Sequence, residues 1–336
     1  MQRKPDFFIV GAPKCGTTAM AQYLGGHPDI FMARKEMHFF GADLCFGAQF
    51  YRRAADAYLA EFDTSNGQRR AGEASVWYLL SRRAAAEIMD FNPDARIIIM
   101  LREPAEMLHS LYHSFRWDGN EHLPTFEAAL AAEDGRRAGR DISRQAYFAQ
   151  GLVYTETARY AGQVRQYFDL FGRDRVHVIL YDDFAADVAS AYCNTLDFLG
   201  VDSTRVQTGF RAVNGNQSVK FGAVRAVLND PMVRSTVLAV RPFLPRAVFN
   251  AMQKVDARIR KFNSRSEGRP PLAPELRRRL QREFAPEIER LGGLLGRDLT
   301  HWSSGDGRQR NNPSARPPSL EIRPAEPVLK GAENPA

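Results

Sequence analysis

The sequence has few cysteines, and they are far apart. Its three cysteines are Cys15, Cys45 and Cys193. No two of them have the short spacing of a metal-binding pair, and an odd, scattered set fits a reducing compartment better than a disulfide framework. The cysteines therefore argue against a disulfide-rich secreted domain, and we predict no metal site.

The sequence also lacks long hydrophobic runs. No stretch approaches the roughly 20 apolar residues that a membrane-spanning helix requires. Residues 1–6 lead directly into a short apolar run, without the longer apolar region and small-residue cleavage site of a signal peptide. We therefore expect a cytoplasmic protein without a transmembrane segment.

Positive charge is in excess, but it is not arranged as in nucleic-acid-binding proteins. The formal net charge is +7, which suits an anionic ligand. The basic residues are scattered, and no aromatic platform or reading motif accompanies them. We therefore predict no specific nucleic-acid partner, and no pattern in the sequence predicts the oligomeric state.

What the sequence does contain is an alternation of buried strands and helices. Its 336 residues, 44% of them hydrophobic, are enough for a sizeable core. Continuous apolar runs predict strands at Phe7–Val10, Ile97–Leu101 and Val176–Leu180. The expected helices among them are Thr17–Leu24, Pro104–Phe115, Tyr154–Phe171 and Ser190–Leu199. This order predicts an α/β fold with a central, mainly parallel sheet flanked by helices.

The C-terminal part of the chain has a different character. A last helix begins at Pro274 and carries an apolar stripe from Leu276 to Leu295, with a kink expected at Pro286. Residues 303–336 contain six prolines and few apolar residues, a composition typical of disorder. We predict one domain over residues 5–302 and a disordered, proline-rich tail over residues 303–336.

A loop that could cradle an anion follows the first strand. Gly11 and Gly16 allow a tight turn and a close approach to a ligand. The amide groups at the start of the next helix attract anions, Thr17 and Thr18 add hydroxyls, and Lys14 adds a full positive charge. The pattern resembles the Walker A loop, except that its lysine lies before Gly16 and not after it.

A second anion site is predicted after the strand at Ile97–Leu101. Arg102 follows this strand directly, and Ser110 lies eight residues further along the next helix. An arginine fork and a hydroxyl suit a phosphate group. An NTPase usually has an acidic magnesium ligand where Arg102 stands, so a P-loop kinase or NTPase is the less favoured alternative.

These two sites together resemble the nucleotide-binding motifs of the sulfotransferases that use 3′-phosphoadenosine 5′-phosphosulfate (PAPS). The 5′-phosphosulfate loop of that family is similar to the segment Pro13-Lys14-Cys15-Gly16-Thr17-Thr18, and its 3′-phosphate motif to Arg102 with Ser110. The resemblance implies a P-loop-like three-layer fold and PAPS as sulfate donor. It also suggests Lys220 as a further 3′-phosphate ligand, although an ordinary loop lysine is an equal alternative.

The resemblance also indicates a general base. Residues 35–40, Lys-Glu-Met-His-Phe-Phe, are similar to a segment of the carbohydrate sulfotransferases, including the heparan sulfate type. By this resemblance Glu36 is the base, and His38 orients Glu36 or contacts the acceptor. Lys14 is the residue best suited to stabilise charge on the leaving oxygen. A histidine base, His109 or His113, is the alternative.

The acceptor side is less well defined. The stretch from Gly72 to Tyr78 is similar to one that lines the acceptor cleft in bacterial and heparan-type members of the family. On this basis Glu73 and Tyr78 would bind sugar hydroxyls and Trp77 would stack on a ring, with core packing as the alternative for the two aromatic residues. We predict a hydroxyl-bearing small molecule or glycan as acceptor. A non-catalytic nucleotide-binding protein of the same fold is the other alternative.

Overall fold

A computed structural model of the protein describes residues 3–47, 54–63, 67–204, 218–219, 264–265 and 270–304. The strands are β1 (Phe7–Gly11), β2 (Ile30–Met32), β3 (Arg70–Ala74), β4 (Arg96–Leu101), β5 (Val176–Leu180), β6 (Ser218–Val219) and β7 (Ser264–Arg265). The helices are α1 (Thr17–Gly25), α2 (Ala55–Leu59), α3 (Ala84–Phe91), α4 (Pro104–Asp118), α5 (Phe126–Ala131), α6 (Glu133–Arg137), α7 (Tyr154–Thr157), α8 (Tyr160–Phe171), α9 (Tyr181–Ala186), α10 (Val188–Leu199) and α11 (Pro274–Leu295).

Strands β1 to β5 form one sheet in the order β2-β3-β1-β4-β5, and all their pairings are parallel. Every residue of β1 is buried, as its continuous apolar sequence predicts for a central strand covered on both faces. The short strands β6 and β7 form a separate antiparallel pair.

Helices cover both faces of this sheet. The chain crosses from β1 to β2 through α1 and from β3 to β4 through α3, in opposite directions along the sheet. Because such crossovers are right-handed, α1 and α3 lie on opposite faces. Helix α10 packs against α1, whereas α8 packs against α3. The predicted three-layer α/β architecture is therefore confirmed.

The strand order creates a crevice between β1 and β4. The chain leaves β1 toward one edge of the sheet and leaves β4 toward the other. Ligands of parallel α/β sheets bind at such a switch point, beside the carboxyl ends of the strands. The loop after β1 and Arg102 after β4 both lie there, and the amide of Ala12 donates to the carbonyl of Met100 at 2.7 Å. Both predicted anion sites are thus at one crevice.

Two helix predictions differ in detail from the structure. The helix predicted over Tyr154–Phe171 is divided into α7 and α8, and the Ala161 amide in the first turn of α8 donates to the Glu287 carboxylate of α11 at 2.6 Å. Helix α10 begins two residues before Ser190, where the Asp187 side chain caps it. Pro286 lies within α11, and the kink expected there stays a prediction.

The prediction of a disordered tail over residues 303–336 falls almost wholly outside the described residues, which end at residue 304. It stays a prediction. Among the helices that the structure describes, none combines the length and apolar character needed to cross a bilayer.

Candidate active site

The loop after β1, which is predicted to bind an anion, leads directly into α1. Gly16 caps α1 with a φ of 89°, and a Cβ on it would lie 3.1 Å from the Phe184 ring, so this position favours glycine. No side chain of the described residues caps this helix end, and its first turn carries no acidic residue. The amide groups of the first turn therefore present their partial positive charge toward the crevice.

Lys14 reaches across the crevice from this loop to α4. Its Nζ donates to the Ser114 hydroxyl at 3.4 Å. Ser114 lies one helical turn beyond Ser110, the buried serine of the predicted second anion site. The structure therefore places Lys14 close to the face of α4 that carries Ser110 and Ser114.

Arg102 is held in place by contacts on two sides. Its guanidinium lies 4.5 Å from the Tyr181 ring and 3.2 Å from a Glu106 oxygen. Glu106 also accepts a short hydrogen bond from Arg277 of α11. An arginine that is fixed in this way has already lost most of its side-chain freedom, which favours binding of a planar or tetrahedral oxyanion.

Cys15 contributes shape to the loop, not a nucleophile. Its side chain is fully buried, and the thiol donates to the Pro13 carbonyl at 3.3 Å. Burial raises the pKa of the Cys15 thiol to about 12. The group is therefore a thiol at neutral pH, whereas nucleophilic cysteines are thiolates.

Hydrogen bonds to β3 and the turn after it fix the segment that carries Glu36. The Glu36 amide donates to the Ala74 carbonyl at 2.8 Å, and the His38 amide donates to the Ser75 hydroxyl at 3.2 Å. Strand β3 lies next to β1 in the sheet. This pairing places Glu36 beside the loop that follows β1.

Left-handed backbone conformations are concentrated at the predicted catalytic residues. Among the described residues other than glycine, φ is positive only at Lys14 (61°), Glu36 (60°), His38 (50°) and Asp141 (54°). Each such conformation costs about 1–3 kcal/mol and persists where the surrounding structure enforces it. Three of the four coincide with the predicted catalytic set, which supports a functional role for this region.

Three groups among the described residues lie close to the Glu36 carboxylate. It lies 3.4 Å from Lys35 Nζ and 3.7 Å from His38 Nε2, and it accepts a hydrogen bond from the Val76 amide at 3.3 Å. Burial raises the pKa of Glu36 above its ordinary value, while Lys35 and the Val76 amide oppose that rise. Burial, with a further effect of Lys35, lowers the pKa of His38 to about 4. His38 is therefore neutral at pH 7.

Lys35 belongs to the segment of residues 35–40, but no sequence pattern assigns it a role. Its Nζ donates to the Thr18 hydroxyl at 2.7 Å and to the Thr17 hydroxyl at 3.4 Å. Because Lys35 also pairs with Glu36, it joins the loop after β1 and the start of α1 (residues 11–18, the anion loop) to the predicted base. Its position immediately before Glu36 was the only signal that could have identified it.

The three residues predicted to contact the acceptor are buried. Glu73 is fully buried, and its carboxylate accepts hydrogen bonds from the hydroxyls of Tyr58, Ser75 and Tyr78. Tyr78 is also buried, and the Phe39 amide donates to its hydroxyl at 2.8 Å. Trp77 stacks on the Phe115 ring at 5.8 Å. These contacts fit the packing alternative for Trp77 and Tyr78, and they make Glu73 a support for the Glu36 segment.

Replacing Glu73 with glutamine is expected to lower the free energy of unfolding by about 1–3 kcal/mol. A glutamine side chain has one acceptor oxygen, so it cannot accept from all of the buried hydroxyls that Glu73 satisfies. Urea denaturation measures the change. The control is Glu156→Gln, because Glu156 is 43% exposed. Equal stability of the two variants would contradict this role of Glu73.

The alternative bases lie on another face of α4. His109 and His113 are paired, with their Nε2 atoms 3.0 Å apart. They line a pocket with Phe126 and Leu272, whereas Ser114 contacts Lys14 of the anion loop. Lys220, the predicted further phosphate ligand, lies outside the described residues.

Comparisons with known proteins agree with this geometry. A family model described as the sulfotransferase domain matches residues 4–227. The crystal structure of a sulfotransferase from Alicyclobacillus acidocaldarius is 30% identical, with a TM-score of 0.66, over 90% of this chain and 100% of that one.

Two curated proteins match a shorter part of the chain. The membrane-associated sulfotransferase kil1 of Dictyostelium discoideum is 29% identical over 37% of this chain and 26% of its own length. The human heparan sulfate glucosamine 3-O-sulfotransferase 5 is 29% identical over 33% of this chain and 31% of its own length. The similarity thus spans less than a third of either of these curated relatives.

Proposed function

Because the chain belongs to the sulfotransferase family, we propose that it transfers a sulfuryl group from PAPS to a hydroxyl acceptor, with Glu36 as the general base. One observation carries the proposal. A carboxylate, Glu36, and two lysines, Lys14 and Lys35, lie around one anion loop, and Lys35 contacts both the loop and the carboxylate.

The residues present fit a nucleotide with phosphates at two positions. The loop after β1 offers amide groups, Lys14 and the hydroxyls of Thr17 and Thr18 for a 5′-phosphosulfate. Arg102 and Ser110, after the adjacent strand β4, offer a guanidinium and a hydroxyl for a 3′-phosphate. PAPS, when bound, supplies the activated sulfuryl group. An NTPase needs an acidic magnesium ligand at this strand end, whereas the residue that follows β4 in this chain is Arg102.

In the proposed reaction, the residues of the chain have separate roles. Glu36 accepts the proton of the acceptor hydroxyl, and its raised pKa makes the carboxylate a stronger base than an exposed glutamate. Lys14 and the loop amides stabilise negative charge that develops on the leaving phosphate oxygen. His38, neutral at pH 7, is suited to orient Glu36 or the acceptor. The anion loop and the lysines supply positive charge from the protein itself.

We propose a carbohydrate hydroxyl as the acceptor. The support is the similarity of residues 35–40 to the carbohydrate sulfotransferases, together with a curated relative named for heparan sulfate glucosamine. The buried placement of Glu73 and Tyr78 implies that the acceptor is contacted mainly by other residues. Transfer of labelled sulfate from PAPS to an array of glycans, small alcohols and phenols tests the proposal. Labelling of phenols alone would contradict a carbohydrate acceptor, and magnesium-dependent ATP hydrolysis without any transfer would contradict the function.

Replacing Arg102 with alanine is expected to weaken binding of PAP, the desulfated product, by about 1–3 kcal/mol. The cause is the loss of charge-assisted hydrogen bonds to the 3′-phosphate. Isothermal titration calorimetry measures the affinity, and Arg165→Ala, which removes an exposed arginine of α8, is the control. Adenosine 5′-phosphosulfate, which has no 3′-phosphate, should bind both variants equally. Unchanged PAP affinity in Arg102→Ala would exclude this residue from the 3′-phosphate site.

A further inference from the structure

The Lys35 ammonium lies among three oxygen atoms drawn from two parts of the site. It lies 2.7 Å from Thr18 Oγ1, 3.4 Å from Thr17 Oγ1 and 3.4 Å from Glu36 Oε1. The ammonium donates hydrogen bonds to the two threonine hydroxyls and forms an ion pair with the Glu36 carboxylate. The side chain is only 27% exposed, so these contacts are largely shielded from water.

The contact with Lys35 determines what the Thr18 hydroxyl can do. A hydroxyl has one hydrogen to donate and two lone pairs to accept with. Because Lys35 occupies a lone pair of Thr18 Oγ1, the hydroxyl hydrogen must point away from the ammonium. A hydroxyl oriented in this way can act as a donor to an anion in the adjacent loop.

The same ammonium acts on Glu36. Burial favours the protonated carboxyl, and the neighbouring positive charge of Lys35 favours the carboxylate. The Glu36 backbone is fixed to β3 through the Ala74 carbonyl, so the carboxylate cannot easily move away from Lys35. The Lys35 side chain therefore affects both the anion loop and the proposed general base, Glu36.

We propose that Lys35 is a positioning residue that couples the two halves of the reaction, orienting the Thr18 hydroxyl toward the bound donor and keeping Glu36 ionised. This inference rests on the proposed function. It assigns to Lys35 a role distinct from that of Lys14, which contacts Ser114 on the other side of the loop.

The experiment replaces Lys35 with methionine, which keeps the length of the side chain and removes its charge. The Glu36 carboxyl is titrated by carbon-13 NMR of glutamate-labelled protein, with Glu36→Gln used to assign the resonance. Removing the ammonium should move this titration to higher pH, and the acid limb of the kcat–pH profile should move in the same direction. PAP affinity should fall about two- to tenfold, because the Thr18 hydroxyl loses its fixed orientation.

Two further variants make the result specific. Arg34→Met removes the preceding basic residue, which is 57% exposed and pairs with Glu61 at 3.4 Å, and should change none of the three measurements. Lys35→Arg, which keeps the positive charge, should return the midpoint of the Glu36 titration close to its wild-type pH. If Lys35→Met leaves either the Glu36 titration or the PAP affinity unchanged in a folded protein, the coupling is refuted. Wild-type protein that neither binds PAP nor transfers sulfate would instead refute the proposed function, whatever the titration shows.

Discussion

Replacing Glu36 with glutamine is expected to lower kcat for sulfate transfer by about 10²–10⁴-fold, the usual contribution of a positioned general base. Glutamine keeps the shape of the side chain but cannot accept the proton of an acceptor hydroxyl. Affinity for PAP should stay close to that of the wild type, because the substitution leaves Lys14 and Arg102 in place. Steady-state transfer rates and calorimetric PAP binding measure the two quantities.

The matched control is Glu61→Gln, since Glu61 also pairs with a basic residue, Arg34, which directly precedes the segment of residues 35–40. It should keep full activity. A Glu36→Gln variant with wild-type turnover would remove Glu36 from the role of base. His109→Gln and His113→Gln would then become the decisive variants, because these histidines are the alternative bases.

The activity of the wild-type enzyme should also depend on pH in a defined direction. Glu36 must be ionised to accept a proton, so kcat should increase as pH rises through its titration. Because burial raises the pKa of Glu36 above the ordinary value of 4.5, the midpoint of this acid limb should lie above that value. A kcat–pH profile provides the measurement. An acid limb whose midpoint lies at or below pH 4.5 would contradict the assignment of Glu36 as the base.

The sequence predicted the parts of the site that depend on local chain geometry. An apolar run followed by Gly11 and Gly16 determines a strand, a tight turn and a helix start, and the structure has β1, the loop and α1 at those positions. Arg102 likewise follows β4 because its position depends only on where that strand ends. Since parallel strands place their carboxyl ends at one edge, the proximity of the two anion sites was implied as well.

What the sequence could not predict depends on contacts between distant residues. The Lys35–Thr18 hydrogen bond joins residues 17 positions apart, and it exists because the segment after β2 is fixed to β3. Burial of Glu73 likewise depends on hydroxyls from other segments, such as that of Tyr58. The first turn of α8 likewise donates to a carboxylate 126 residues away. No periodic or local sequence pattern identifies any of these contact partners.

Replacing Lys14 with methionine is expected to lower kcat by about 10²–10³-fold, the loss seen when one preorganised donor to a developing oxyanion is removed. Negative charge on the leaving oxygen is greater in the transition state than in the bound donor, so the effect on kcat should exceed the effect on PAP affinity. Single-turnover transfer rates and PAP titrations separate the two. Lys4→Met, which removes a lysine whose Nζ donates to the Phe91 carbonyl, is the control.

A distinct pattern would contradict this role for Lys14. If the substitution weakened PAP binding and left single-turnover kcat unchanged, Lys14 would bind the nucleotide equally well before and during transfer, and stabilisation of the leaving oxygen would fall to the loop amides. The left-handed backbone at Lys14, with φ of 61°, argues against that outcome. A lysine that served only as a charge near the phosphates would not require a strained backbone, whereas one aimed at a single oxygen depends on the direction in which the loop presents it.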